Sequence, residues 1–126
     1  MTQPEKILET RILNWLNSLS DVFAFKINNN AVYDLKRKTF RKNNNPHIHN
    51  GIHDIIGLNK GRFFSIEVKI GYNKPTIVQN KFLKRVLGCD GVSFWTNNFE
   101  DCKKQFIRYF GTPKYKDKDV LFEEVF

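Results

Sequence analysis

Gly51-Ile52-His53-Asp54-Ile55-Ile56-Gly57-Leu58 leads through the turn Asn59-Lys60-Gly61 into Arg62-Phe63-Phe64-Ser65-Ile66-Glu67-Val68-Lys69, and the fold is decided by how this stretch is read. Both runs have the β-branched and aromatic content of buried strands, and the residues between them are turn chemistry, so a hairpin is predicted. Into these runs the chain sets an aspartate, a glutamate and a lysine. An ionised group among Ile, Val and Phe is costly unless something pairs with it, so three such groups together mark a site. Side chains alternate faces along a strand, which sends Glu67 and Lys69 one way and Val68 the other. The hairpin carries Asp54 back beside Glu67. Two carboxylates and one ammonium are thus expected to converge on one face.

Upstream, Thr2-Gln3-Pro4-Glu5 has the form of a capping box and predicts the start of a helix. Leu8, Ile12, Trp15, Leu16 and Leu19 recur at helical spacing as its apolar stripe, with Glu5 inside the stripe and Glu9 beside its edge. Ser20-Asp21 ends the pattern. Val22 to Ile27 reads as a strand, and Asn28-Asn29-Asn30 as a turn. Ala31-Val32-Tyr33 and Thr39-Phe40 then flank a basic hairpin or flap carrying Lys36, Arg37, Lys38, Arg41 and Lys42, placed to lie along a phosphate backbone.

Downstream, Gly71 to Pro75 is a loop, with Lys74 as a further candidate phosphate contact. Thr76-Ile77-Val78-Gln79 repeats the capping-box form ahead of a second helix, whose buried stripe would be Phe82, Leu83, Val86 and Leu87, with Gly88 as its stop. Gln79 lies one turn before Phe82 and Leu83, so it is positioned both to cap the helix and to face the site. Val92 to Trp95 is a strand. Asn97 or Asn98 caps a third helix with Phe99, Cys102, Phe106, Tyr109 and Phe110 inward. Lys114 to Asp119 reads as a charged linker, and Val120 to Phe126 as a last strand or an oligomer contact.

The chain of 126 residues suits one domain, with a formal net charge of +8 and a pI near 9.6. Nucleic acid is the leading partner for so basic a chain. No apolar run is long enough to span a bilayer and no leader-like start is seen, so no membrane partner and a cytoplasmic location are expected. Cys89 and Cys102 have no paired spacing and read as reduced thiols that pack.

The order helix, strands, strand with Asp, strand with Glu-x-Lys, helix, strand, helix is an α/β pattern. Asp54 followed by Glu67-Val68-Lys69 resembles the PD-(D/E)xK nuclease signature. With Glu5 or Glu9 on the first helix, Gly51 to Gly57 around the aspartate, and Gln79 opening the next helix, the fuller set resembles its virus-type replication-repair (VRR-NUC) branch. The likeness runs from Pro4 to about Phe99. Family members commonly place a proline before the aspartate, where this chain has His53. By distance to the following strand, the family glutamate aligns with Glu5.

The resemblance implies a restriction-endonuclease-like mixed β-sheet flanked by helices, with an αβββαβ core, and a Mg²⁺- or Mn²⁺-dependent nuclease. Asp54, Glu67, the main-chain carbonyl of Val68 and Glu5 would be the metal ligands, a hard-oxygen set that suits either ion. Lys69 would orient a water or neutralise developing charge, Gln79 would position, and Glu5 or Glu9 would complete the shell. The expected activity is a DNA endonuclease selecting structure over sequence in replication, repair or recombination, with a homodimer as one way to widen its groove. A Holliday-junction resolvase, a restriction endonuclease of the same superfamily and a non-catalytic basic nucleic-acid-binding module are the alternatives. His47, His49 and His53 raise a zinc or histidine-based centre as a rival, against which no second ligand cluster completes a tetrahedral shell.

Overall fold

A computed structural model describes residues 3–27, 32–34, 39–41, 46, 47 and 49–117, with the backbone alone at 32–34 and 39–41. The elements are α1 (Gln3–Asn17), β1 (Val22–Lys26), β2 (Val32–Asp34), β3 (Thr39–Arg41), β4 (Ile55–Asn59), β5 (Arg62–Val68), α2 (Ile77–Gly88), β6 (Val92–Thr96) and α3 (Phe99–Phe110). β1, β4, β5 and β6 form a mixed sheet in that order, while β2 and β3 pair separately as the expected hairpin. The fold is α/β, a four-stranded mixed sheet flanked by helices. Setting the hairpin aside, the sequence of elements is helix, three strands, helix, strand and a closing helix.

The hairpin β4–β5 forms as its residues dictate. Asn59 pairs with Arg62, which leaves Lys60 and Gly61 as a two-residue loop with φ of 49° and 82°. A turn that needs positive φ at both positions matches the twist of the strands it joins. β5 then runs parallel to β6, and α2 makes the crossover between them.

Alternation sorts the sheet into two unlike faces. Val22, Ala24, Ile55, Phe64, Ile66, Val68, Val92 and Phe94 share one face and build a single core with Ile12, Leu16, Leu19, Cys102 and Phe106. Phe64 is fully buried and meets Phe106 edge-on at 5.5 Å, as Trp15 does at 5.4 Å, so α1 and α3 close this face together. Fully burying one such ring contributes roughly 1.5–3 kcal/mol. Gly57 sits opposite Phe64, and a Cβ there would lie 2.6 Å from both the Phe64 ring and the Phe23 carbonyl. The glycine is the space the ring occupies.

Among the described residues the other face carries α2, packed over β5 and β6. That explains a departure from the expected stripe: Phe82, Leu83 and Val86 are only half-buried and Leu87 is exposed, because no further layer among the described residues covers the helix. Tyr109 is likewise exposed at its rim, although its ring stacks on Phe94 at 6.2 Å. Cys102 packs in the core as expected, whereas Cys89 is exposed at the α2 C-cap. Lys114 to Lys116 is not a free linker. It pairs with the end of α1 through Ser20 N–H to the Lys114 carbonyl (2.7 Å) and Lys116 N–H to the Ser18 carbonyl (2.9 Å), and Trp15 Nε1 donates to the Tyr115 hydroxyl.

The edge of β1 is blunted by a side chain. Asn17 Nδ2 donates to the Ala24 carbonyl and Asn17 Oδ1 accepts the Ala24 N–H, both at 2.9 Å, as a neighbouring strand would. No helix among the described residues is long and apolar enough to cross a membrane. The expected capping residue Thr2 and the expected last strand over 120–126 lie outside the described residues.

Gly57→Ala is expected to lower stability by about 1–3 kcal/mol through overpacking against Phe64. A urea titration that finds the midpoint unchanged would contradict this account of the site.

Candidate active site

Asp54 occupies a bend immediately before β4, and the register Ile55 with Ile66 sets it opposite Glu67 near the end of β5. The two residues are tied through backbone donors: the Asp54 N–H donates to Glu67 Oε2 at 3.3 Å, and the Val68 N–H donates to Asp54 Oδ2 at 3.1 Å. The predicted hairpin therefore brings Asp54, Glu67 and Lys69 together. Lys69 Nζ lies 3.5 Å from Glu67 Oε1, with its side chain 17 % exposed against 2 % for the glutamate.

Gln79 joins them from the crossover helix. Thr76 is the N-cap of α2, and the capping box is complete: Gln79 N–H donates to Thr76 Oγ1 at 3.2 Å and Gln79 Oε1 accepts the Thr76 N–H at 2.8 Å. This leaves the amide nitrogen, and Gln79 Nε2 donates to Glu67 Oε1 at 3.0 Å. One side chain thus caps the helix and holds the buried acid. Gly51 explains how the loop before Asp54 comes so close to this turn. Its φ is 85°, and a Cβ would lie 2.6 Å from Val78 Cγ1 and 2.9 Å from Gln79 N.

Glu67 is short of positive charge. Burial, then the neighbouring charge of Asp54, raise its pKa from 4.5 to about 8, with Lys69 only partly opposing them. The buried acid therefore holds its proton more tightly than a free carboxyl does.

On the first helix the burial order reverses the expected one. Glu9 is 2 % exposed while Glu5 is half-buried. The cause is β1: Lys26 points toward α1 and its Nζ meets Glu9 Oε1 at 3.1 Å. Burial and the charges of Asp54 and Glu5 still push the Glu9 pKa up, although Lys26 pulls it down. Glu9 Oε2 finds no hydrogen-bond partner among the described residues. Such an orphaned buried oxygen is costly as it stands.

His53, the residue just before Asp54, is the one the sequence reading undervalued. It is fully buried. Its Nε2 lies 3.0 Å from the Gln79 carbonyl, which only accepts, so Nε2 carries the proton. Nδ1 is then the acceptor for the Ser65 hydroxyl at 2.9 Å, and Ser65 Oγ in turn accepts from Ser93 Oγ at 2.6 Å. Burial lowers the His53 pKa, which agrees with this neutral tautomer. The ring also meets Phe82 at 4.9 Å. One chain of hydrogen bonds thus fastens the residue before Asp54 to α2, β5 and β6.

Of the remaining expected residues, Val68 is core, and its N–H serves Asp54. Lys74 is exposed in the loop before α2. Arg41 ends β3, and Lys36, Arg37, Lys38 and Lys42 lie outside the described residues. Among those described, no three His, Cys, Asp or Glu side chains gather as a ready metal shell, including the histidines considered as a zinc site. His49 instead packs its ring on Phe82 at 5.2 Å. No protein-family model, curated protein or solved structure matches the chain.

Two outcomes follow from these contacts. The Glu67 proton contributes stability that is complete below the unfolded pKa near 4.5 and is lost as pH rises to the folded value of about 8. In chelator, Glu67→Gln is expected to gain on wild type across that window; a pH-independent difference in unfolding free energy would refute the shift. His53→Ala removes the acceptor of the Ser65 hydroxyl and one donor to the Gln79 carbonyl and leaves a cavity, with an expected loss of about 3 kcal/mol in denaturant titration.

Proposed function

We propose that the chain is a divalent-metal-dependent nuclease of restriction-endonuclease-like fold, hydrolysing phosphodiester bonds of DNA. The observation that carries this reading is the convergence of Asp54, Glu67 and Lys69 on one site, with Gln79 fastening Glu67 from the next helix. A stray ion pair would need only Glu67 and Lys69. A second carboxylate against the first, raising its pKa, is an arrangement whose charge asks for a cation.

The donor set fits Mg²⁺ or Mn²⁺. Asp54, Glu67 and the Val68 carbonyl are hard oxygen donors, and an ion of this kind retains several waters rather than requiring a full protein cage. The orphaned Glu9 Oε2 supports the same reading, in which Glu9 is the first-helix acid ahead of Glu5. When bound, such an ion polarises a phosphate oxygen and acidifies a water. The chain's own groups do the rest. Lys69 orients the attacking water or neutralises charge developing on the phosphate, Gln79 holds the Glu67 carboxylate in place, and His53 holds Gln79 and the backbone before Asp54. The net charge of +8 draws the polyanion in.

A second reading has one observation in its favour: among the described residues no three acids form a ready shell. It is a basic nucleic-acid-binding module that does not cleave. Roles in replication, repair or recombination, a resolvase or restriction activity, a homodimer and DNA contacts by the basic flap all belong with the first reading.

With Mg²⁺ or Mn²⁺ the purified protein is expected to cut members of a panel of single-stranded, duplex, flap and junction DNAs, and to lose this in EDTA. Asp54→Asn, Glu67→Ala and Lys69→Ala should each slow cleavage roughly 100-fold or more, and Glu9→Gln should cost more than Glu5→Gln. No cleavage with either metal, or undiminished cleavage by Glu67→Ala and Lys69→Ala, would defeat the mechanism.

A further inference from the structure

On the sheet face that carries Glu67, α2 packs over β5 and β6, and no other described helix covers the rest. On the β1–β4 half of that face, Phe23 is 63 %, Phe25 40 % and Leu58 43 % exposed. These are large apolar groups set in a strand, where the same residues facing the other way would be core. The register lays them out as rows. Phe23 pairs with Leu58, which pairs with Phe63. Phe25 pairs with Ile56, and Ile56 with Ser65. The next row along the same face is Ile27, whose N–H donates to the Asp54 carbonyl at 2.8 Å, then Asp54, then Glu67. Rows two residues apart are separated by roughly 6.6 Å, so the two phenyl rings step away from the carboxylates one row at a time.

We infer that Phe23 and Phe25 form a stacking platform for unpaired bases, so that the substrate of the adjacent site is a nucleic acid with a single-stranded segment beside the bond that is cut. The inference rests on the nuclease reading and narrows its substrate. The ring centroids are 5.4 Å apart with planes tilted by 36°, so the two rings form a tilted pair and not a parallel stack, and both stay at least 40 % exposed. Every base presents a π-face to such a ring without regard to sequence. Bases inside a duplex are covered on both faces by their neighbours and expose only edges in the grooves. A strand with unpaired bases can therefore use the platform while the phosphate to be cut lies at the adjacent site, and a continuous duplex cannot.

A second copy of the chain fits this face less well. The exposed parts of the three side chains amount to roughly 300 Å², against about 800 Å² per partner in a stable interface. Two copies each carrying +8 repel, whereas a polyanion is attracted. Strand addition at the neighbouring edge is obstructed at Ala24, where Asn17 already takes the N–H and the carbonyl.

The test is equilibrium binding of fluorescent oligonucleotides in EDTA, where cleavage plays no part. Phe23→Ala and Phe25→Ala should each weaken binding of a single strand or flap roughly tenfold while leaving a blunt duplex within about twofold. Phe25→Leu, which keeps the apolar bulk and removes the π-face, should weaken it in the same sense. Unchanged single-strand binding in both alanine variants overturns the platform, as does an equal loss on single strand and duplex. So does full rescue by leucine together with a wild-type dimer that the alanine variants dissociate, which assigns the face to a second copy. A wild-type protein that cleaves but shows no phenylalanine dependence refutes the platform alone. One that shows the dependence but never cleaves refutes the nuclease reading alone.

Discussion

A carboxylate that is 2 % exposed has to be satisfied by the protein, and at Glu67 that requirement organises the structure around it. Its partners come from three segments. Oε1 takes Gln79 Nε2 from the first turn of α2 and faces Lys69 just past β5, and Oε2 takes the N–H of Asp54 at the approach to β4. None of these segments can shift without unsatisfying a buried charge. His53 adds a second fastening between the same segments, since its ring joins the Gln79 carbonyl to Ser65 on β5. Gln79 is the point where both fastenings meet, through its side chain and its backbone.

The two faces of the sheet divide the work. One is closed by α1 and α3 over a continuous apolar cluster, with Gly57 giving up a side chain so that Phe64 fills the space. That core supplies stability from a single side. The opposite face is then able to hold polar and ionisable groups at Asp54, Glu67 and the His53–Ser65–Ser93 chain, beneath one helix that itself has no fully buried residue. Glu9 and Lys26 form their pair on the α1 side, at the same end of the sheet. In the proposed reading, the site lies where the two layers meet at the strand ends.

How much of this was legible in the sequence depends on how local each cause is. The hairpin, the pairing of Asp54 with Glu67 and the double role of Gln79 follow from a turn, an alternation and a capping box, all contained within a few residues, and they were readable. The deeper burial of Glu9 relative to Glu5 was not readable because stripe arithmetic sees only the helix, whereas Glu9 faces β1 and meets Lys26 there. His53 resembled a bystander because its partners, Ser65 and Ser93, stand 12 and 40 residues away and carry no signal of their own. Leu87 and the 114–116 segment were misjudged for a related reason: whether an apolar or charged residue is covered depends on which layers exist, and spacing does not count layers.

The charges of the site resolve an apparent contradiction in so basic a chain. Asp54, Glu67 and Glu9 bring three carboxylates to this end of the sheet against the ammonium groups of Lys69 and Lys26, while the whole protein carries +8. A polyanion is attracted by the protein at long range and repelled by the acids at close range. That local excess has two chemical remedies. A proton on Glu67 is one, and burial together with the charge of Asp54, which raise its pKa to about 8, favours it. A divalent cation is the other: Asp54 and Glu67 would hold it, and its charge would make the same patch attractive toward a phosphate. In the proposed nuclease the acids therefore gate substrate approach as well as holding the ion, since the phosphate is welcome at the site only once their charge has been answered.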